Sequence, residues 1–197
     1  MLNAGLELFR SHFYWIDFAI GVAAPLVAYA LYRGGRIDRF MWGLFWLGFA
    51  IGLTWEVPMQ VLNQMGDAWA VHRYVRPPPV HFSVIIVLHS CWDGGLFLLG
   101  VGLMRLIGRA PVFERFRAIE LAVLIVWGQA SELWVEMTSV SGEGWSYIPR
   151  PWNPALFKFN GQAITLMPQL IWLAAPMVFY FIALKLRGGR ASERKGP

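Results

Sequence analysis

One cysteine, four histidines and a charged fraction of 15% limit what this 197-residue chain can be. A single Cys91 excludes a disulfide framework, and its place in an apolar run leaves the redox compartment open. The histidines form no HxxH pair. No helix carries the Glu-x-x-His motif of di-iron carboxylate bundles, so no metal site is expected. No glycine-rich phosphate cradle follows a strand. Ser131 has no histidine and acid partners in a recognisable order. No cofactor is implied. A cleavable signal peptide is not expected either, because "HFYWIDF", with Asp17, breaks the first apolar run and no small-residue site follows a basic start. The chain has no internal repeat and no low-complexity segment.

What is present is apolar surface. Hydrophobic residues make up 57% of the chain, and 11 of its residues are Trp. Soluble domains hold about 45–50% apolar residues, so a soluble fold of this size could not hide the excess. Runs of about 20 residues with few charges read as membrane spans. Five are expected, at 14–32, 40–62, 81–104, 117–138 and 162–186. The fold class is therefore all-α, a polytopic five-transmembrane-helix bundle enclosing an intramembrane pocket. Residues 1–186 form one membrane domain, and 187–197 read as a disordered basic tail.

The formal charge is +5, but Lys and Arg gather in connectors. Three lie at 33–39, four at 105–117 and five from Lys185 onward, which places 12 of the 17 on one side. That asymmetry gives an outside N-terminus and a cytoplasmic C-terminus. Basic loops facing an anionic membrane surface account for the charge, and no nucleic-acid partner is expected. Short loops and a lean tail suggest a bacterial inner membrane. A homodimer stays open as an assembly.

Five ionisable residues fall deep in the spans: Glu56, His89, Asp93, Glu132 and Glu136. A charge at the bilayer centre costs about 2.5–3.5 kcal/mol on insertion scales, and such residues usually face the bundle interior. His89 and Asp93 are four apart, as are Glu132 and Glu136, so each pair shares a helix face. His89 with Asp93 could be a hydrogen-bonded structural pair. Glu136 could be solvated at the membrane surface. Glu56, set in "GLFWLGFAIGLTWEVPMQVL", has no such simple account. A carboxyl buried without a charge partner favours its neutral form and can then donate a proton as well as accept one. Pro25, Pro58, Pro168 and Pro176 fall inside the runs. Each removes a backbone donor, which serves either packing or a bundle bent open around a cavity.

The aromatic residues follow the acids. Trp55 adjoins Glu56, Trp92 adjoins Asp93, Trp134 lies between Glu132 and Glu136, and Trp172 sits in "MPQLIWLAAP". An interfacial belt explains Trp15, Trp69, Trp145 and Trp152. It suits Trp92 and Trp172 less well. Indole faces attract cations. Acids that move protons, beside indoles that shelter a carbocation, suit the chemistry of an isolated carbon–carbon double bond.

These motifs, in this order, resemble the emopamil-binding protein (EXPERA) family of sterol double-bond isomerases and their non-enzymatic relatives. The resemblance covers roughly 16–186. "FMWGLFWLGFAIGLTWEVPMQVL" is similar to that family's second span, "HSCWDGGLFLLGVGL" to its third and "WGQASELWVEM" to its fourth. "NPALFKF" resembles the connector before the last span, and "QLIWLAAP" resembles the Asn-x-x-Trp-x-x-x-Pro segment. The resemblance implies that Glu56 is the span-two acid, that Trp172 stabilises a carbocation and that Gln169 stands where the family has Asn. Where those isomerases carry a His one turn before the span-two acid, this chain has Gly52. Their span-three acid falls near Ile85, where this chain is apolar, and His89 and Asp93 would supply proton transfer instead.

The expected function is an isomerase that moves a double bond in a sterol, steroid or isoprenoid lipid. Glu56, His89, Asp93 and Glu132 are its candidate catalytic groups. Trp55, Trp92, Trp134, Glu136, Gln169 and Trp172 are its candidate substrate contacts. A membrane terpene cyclase, a lipid-binding protein without catalysis and a subunit of a larger membrane complex are the alternatives. The partner is an apolar lipid that enters from the bilayer, beneath a Trp- and Pro-rich loop.

Overall fold

The computed structural model describes residues 2–108 and 111–193. Five helices carry the chain: α1 (Leu2–Arg33), α2 (Arg39–Gln64), α3 (Phe82–Gly108), α4 (Ala118–Ser141) and α5 (Leu166–Glu193). All five are long and apolar enough to cross a membrane, so the protein is an integral multi-pass membrane protein. Leu26, Val126, Leu106 and Phe181 are among the large apolar side chains turned outward, as hydrocarbon surroundings allow. Four short strands accompany the helices: β1 (His72–Tyr74), β2 (Trp145–Tyr147), β3 (Ala155–Phe159) and β4 (Gln162–Thr165).

The alternating direction of the helices gives the bundle two ends. The upper end holds the start of α1 and the α2–α3 and α4–α5 connections. The lower end holds the other two connections and the end of α5. At the upper end β1 and β2 pair antiparallel, His72 opposite Tyr147 and Tyr74 opposite Trp145. Strands β3 and β4 form a separate hairpin. Its two turn residues, Asn160 and Gly161, both have positive φ, at 47° and 79°. That is the backbone an Asn-Gly two-residue hairpin turn requires.

This hairpin corrects the expected fifth span. Residues 162–165 are strand, and the helix starts at Leu166. Pro168 therefore sits in the first turn, where a missing N–H costs nothing. It does not lie in a helix interior, as Pro25, Pro58 and Pro176 do. Pro58 and Pro176 remove the donors that would meet the carbonyls of Thr54 and Trp172, each close in the chain to a pocket residue. The expected tail is corrected in part, because α5 continues to Glu193. Residues 194–197 of that tail lie outside the described residues, as does Arg109 of the basic connector.

Small residues set the distances between helices. Gly48 and Gly52 form a GxxxG stripe on α2, and such stripes let backbones approach in membranes. A Cβ on Gly48 would lie 3.1 Å from the Gly94 Cα on α3, and one on Gly94 would lie 2.8 Å from the Phe45 carbonyl oxygen. On α1, a Cβ at Gly21 would meet the Leu88 carbonyl oxygen at 2.9 Å. Gly94→Ala is expected to push α3 off α2 at a cost of about 1–3 kcal/mol, typical of overpacking. Thermal unfolding in detergent should show the lowered midpoint, and an unchanged midpoint would mean the contact yields freely.

The lower end is closed by Glu120, which is 1% exposed. The Tyr180 hydroxyl donates to it at 3.0 Å, and the Phe113 amide donates at 3.3 Å. This buried acid lies away from the cavity described next. Its partners tie the α3–α4 connection to α5.

Candidate functional site

The upper half of the bundle encloses a cavity of about 180 Å3. Every helix contributes to its wall. Trp55 and Glu56 come from α2, His89, Trp92 and Asp93 from α3, Glu132 and Trp134 from α4, and Trp172 from α5. The structure thus brings together all four candidate catalytic residues and four of the six candidate contacts. Glu136 and Gln169 pair with each other beside the cavity, Gln169 Nε2 donating to Glu136 Oε2 at 2.8 Å. At 2% exposure Glu136 is not solvated, and Gln169 locks α4 to α5.

His89 is not paired with Asp93. Its Nε2 lies 3.0 Å from Asp17 Oδ2 on α1, and its Nδ1 lies 3.5 Å from Glu56 Oε2 on α2. Asp17 also accepts, through its backbone carbonyl, the indole N–H of Trp92 at 2.9 Å. Sequence reasoning passed over Asp17 as a break in an apolar run. The signal was an acid placed mid-helix in a span, as at Glu56.

Asp93 occupies the space that Gly52 leaves. A Cβ on Gly52 would collide with Asp93 Oδ2 and lie 2.9 Å from its Cβ. Asp93 Oδ2 is buried and has no hydrogen-bond partner among the described residues. Glu136 Oε1 is likewise buried without a partner, so it is the place of Asp93 in the cavity wall that singles it out.

Aromatic rings line the rest. Trp172 is 4% exposed. It lies 5.8 Å from Trp55 and stacks on Phe97 at 5.3 Å. Trp145 corrects an expectation. It is not an interfacial residue but is 9% exposed, with its ring 5.3 Å from His89. Trp15, Trp69 and Trp152 are exposed, as a belt requires. Phe13 explains how the loop after α4 is held over the cavity, because its ring fills the space above Gly142 and Gly144.

The β1–β2 ribbon roofs the cavity with His72, Tyr74, Trp145 and Tyr147. The Tyr74 hydroxyl donates to Gln60 Oε1 at 2.9 Å. Burial holds the Tyr147 phenol well above its ordinary value. The carboxyls of Glu132, Glu136, Glu56 and Asp93 push the same way, so Tyr147 keeps its phenolic proton. These roof residues lie on short strands between the spans, outside the helical spacing that marked the acids in the sequence.

Ile16, Ile20 and Trp134 line the cavity and are also exposed, Trp134 at 72%. The cavity therefore opens sideways between α1 and α4 through an apolar rim. An apolar ligand can reach it without crossing water.

His72 makes the roof sensitive to acid. Burial holds its imidazole down to about 3, and His89 nearby adds to the effect. Asn63 Nδ2 lies 2.8 Å from its Nε2. Above about 6.5, the ordinary value, His72 is neutral with the roof closed or open, and the roof has its full stability. Below that, the open roof takes up a proton that the closed roof refuses, and stability falls as pH falls toward 3. At about pH 5 the closed roof should be weaker by about 2 kcal/mol. Amide-exchange protection of β1 and β2, corrected for intrinsic rates, should show this loss, and His72→Gln should remove most of it. Equal protection at both pH values in the unsubstituted protein would contradict it.

Compared with family models, curated proteins and solved structures, the chain matches none.

Proposed function

We propose that the protein is a membrane isomerase that shifts a carbon–carbon double bond in a sterol, steroid or isoprenoid lipid. One observation carries the reading: acids from three helices, Glu56, Asp93 and Glu132, line one apolar cavity walled by indoles. A proton from Glu56 or Asp93 adds to one alkene carbon, and the π electrons form the new C–H bond. The neighbouring carbon becomes a cation, which the faces of Trp172 and Trp55 stabilise. Glu132 removes a proton from the next carbon, and that C–H pair becomes the shifted double bond. The apolar wall keeps water from capturing the cation. The resemblance to the EXPERA isomerases supports the same roles for Glu56 and Trp172. The distribution of Lys and Arg supports an orientation with the upper end of the bundle outside, and the short loops support a bacterial inner membrane.

The test starts with the lipid that copurifies in mild detergent. It is identified, its double bonds are located, and it is incubated with the protein in deuterated water. A shifted double bond with one deuterium on carbon supports isomerisation. Ring closure would make the protein a cyclase. A bound lipid that gains no deuterium would leave a lipid-binding protein without catalysis.

A further inference from the structure

We infer that Asp17 is a positioning residue that fixes His89 with its Nε2–H on α1 and its Nδ1 aimed at Glu56. Three helices meet on this one imidazole. Asp17 of α1 is 3.0 Å from Nε2, and Glu56 of α2 is 3.5 Å from Nδ1. Asp17 is 8% exposed, so its carboxylate is not simply solvated. A carboxylate accepts and does not donate, so it selects the Nε2–H form, as carboxylate partners do for histidines elsewhere. Glu56 then always faces Nδ1. The indole of Trp92 holds the Asp17 backbone from the other side, and the Trp145 ring lies against the imidazole, which leaves little room for a ring flip. The other titratable groups around His89 are Asp93 on its own helix and His72 in the roof.

The consequence for turnover rests on the proposed isomerase reading. When Glu56 has given its proton to the alkene, an imidazolium Nδ1–H returns one to Glu56 Oε2. His89 becomes neutral and keeps its Nε2–H on Asp17. The proton collected by Glu132 leaves to water, and water reloads Nδ1, so the proton count closes. With Asp17 removed, nothing selects the ring nitrogen that faces Glu56, and this return slows.

The full chain, labelled with 15N-histidine and held in lipid nanodiscs, tests this by NMR. The His89 signals are assigned by their loss in His89→Gln. The unsubstituted protein should show Nε2 protonated, with or without a proton on Nδ1. Asp17→Leu should give a mixture with Nδ1–H alone, and Asp17→Glu should restore the first pattern. Deuterium incorporation should fall at least about 10-fold in Asp17→Leu, with lipid occupancy retained. Nε2 lacking its proton in the unsubstituted protein, or an unchanged His89 spectrum in Asp17→Leu, would overturn the inference. If the unsubstituted protein transfers no deuterium, the isomerase reading fails, and the spectra still decide whether Asp17 fixes the ring.

Discussion

Glu56→Gln is expected to lower deuterium incorporation into the bound lipid by about two to four orders of magnitude, the usual worth of a placed general acid. The amide has nearly the shape of the acid, and Glu56 is 8% exposed, so the cavity should keep its form. The amide cannot release a proton to an alkene. It can still meet His89 Nδ1, so the α2–α3 contact need not open. Lipid occupancy by native mass spectrometry should therefore be unchanged while transfer stops. Glu136→Gln is the matched control. Glu136 is buried beside the cavity and bonded to Gln169; its loss should move transfer by less than about 3-fold, because a group that meets no reacting atom contributes no acid–base term. Equal transfer by Glu56→Gln and the unsubstituted protein would remove Glu56 from the mechanism and leave Asp93 as the donor.

The five helices could be read from the sequence because bilayer thickness fixes the length of an apolar run. What failed was the start of the fifth. Residues 162–165 carry no charge and hold Ala163 and Ile164, so they read as a continuation of the span that follows, and Asn160-Gly161 was the one local sign that the chain turns back there as a hairpin. Acid spacing located the cavity wall but not the pairing within it. His89 and Asp93 do share a face of α3, yet their partners come from elsewhere: Asp17 and Glu56 for His89, and the vacancy at Gly52 for Asp93. Intervals of four report on one helix, whereas a pocket is made by contacts between helices. Trp145 was misread for a related reason. In a loop an exposed indole and a buried one look alike, and only the pairing of β2 with β1 turns Trp145 inward. Glu120, in the first turn of α4, was not among the acids read from the spans, although it is buried.

Gly52→Ala should be the most informative single methyl that can be added to this protein. The new Cβ collides with Asp93 Oδ2 and comes within 3.0 Å of its Cγ. Backing α3 away would relieve this only by giving up the close packing of Gly94 on Phe45. Because the new methyl meets the Asp93 Cβ as well as its carboxylate, α3 must shift and the Asp93 carboxylate must leave its site. Two effects follow. Stability should fall by about 1–3 kcal/mol, the range for overpacking, and on the proposed mechanism proton transfer should fall with it because the Asp93 carboxylate is displaced from the cavity wall. A double-mutant cycle separates this from general damage. In an Asp93→Gly background both the carboxylate and the Cβ that the new methyl would meet are gone, so Gly52→Ala should there cost less than about 0.5 kcal/mol, the level at which independent sites simply add. The coupling between the two positions would then be most of the single-mutant cost. Unfolding midpoints of the four proteins in one detergent measure it. A cost for Gly52→Ala that is the same with and without the Asp93 carboxylate would show that Gly52 is small for the sake of the helix backbones. The fit between an α2 glycine and an α3 acid would then be packing alone, with no bearing on the chemistry of the cavity.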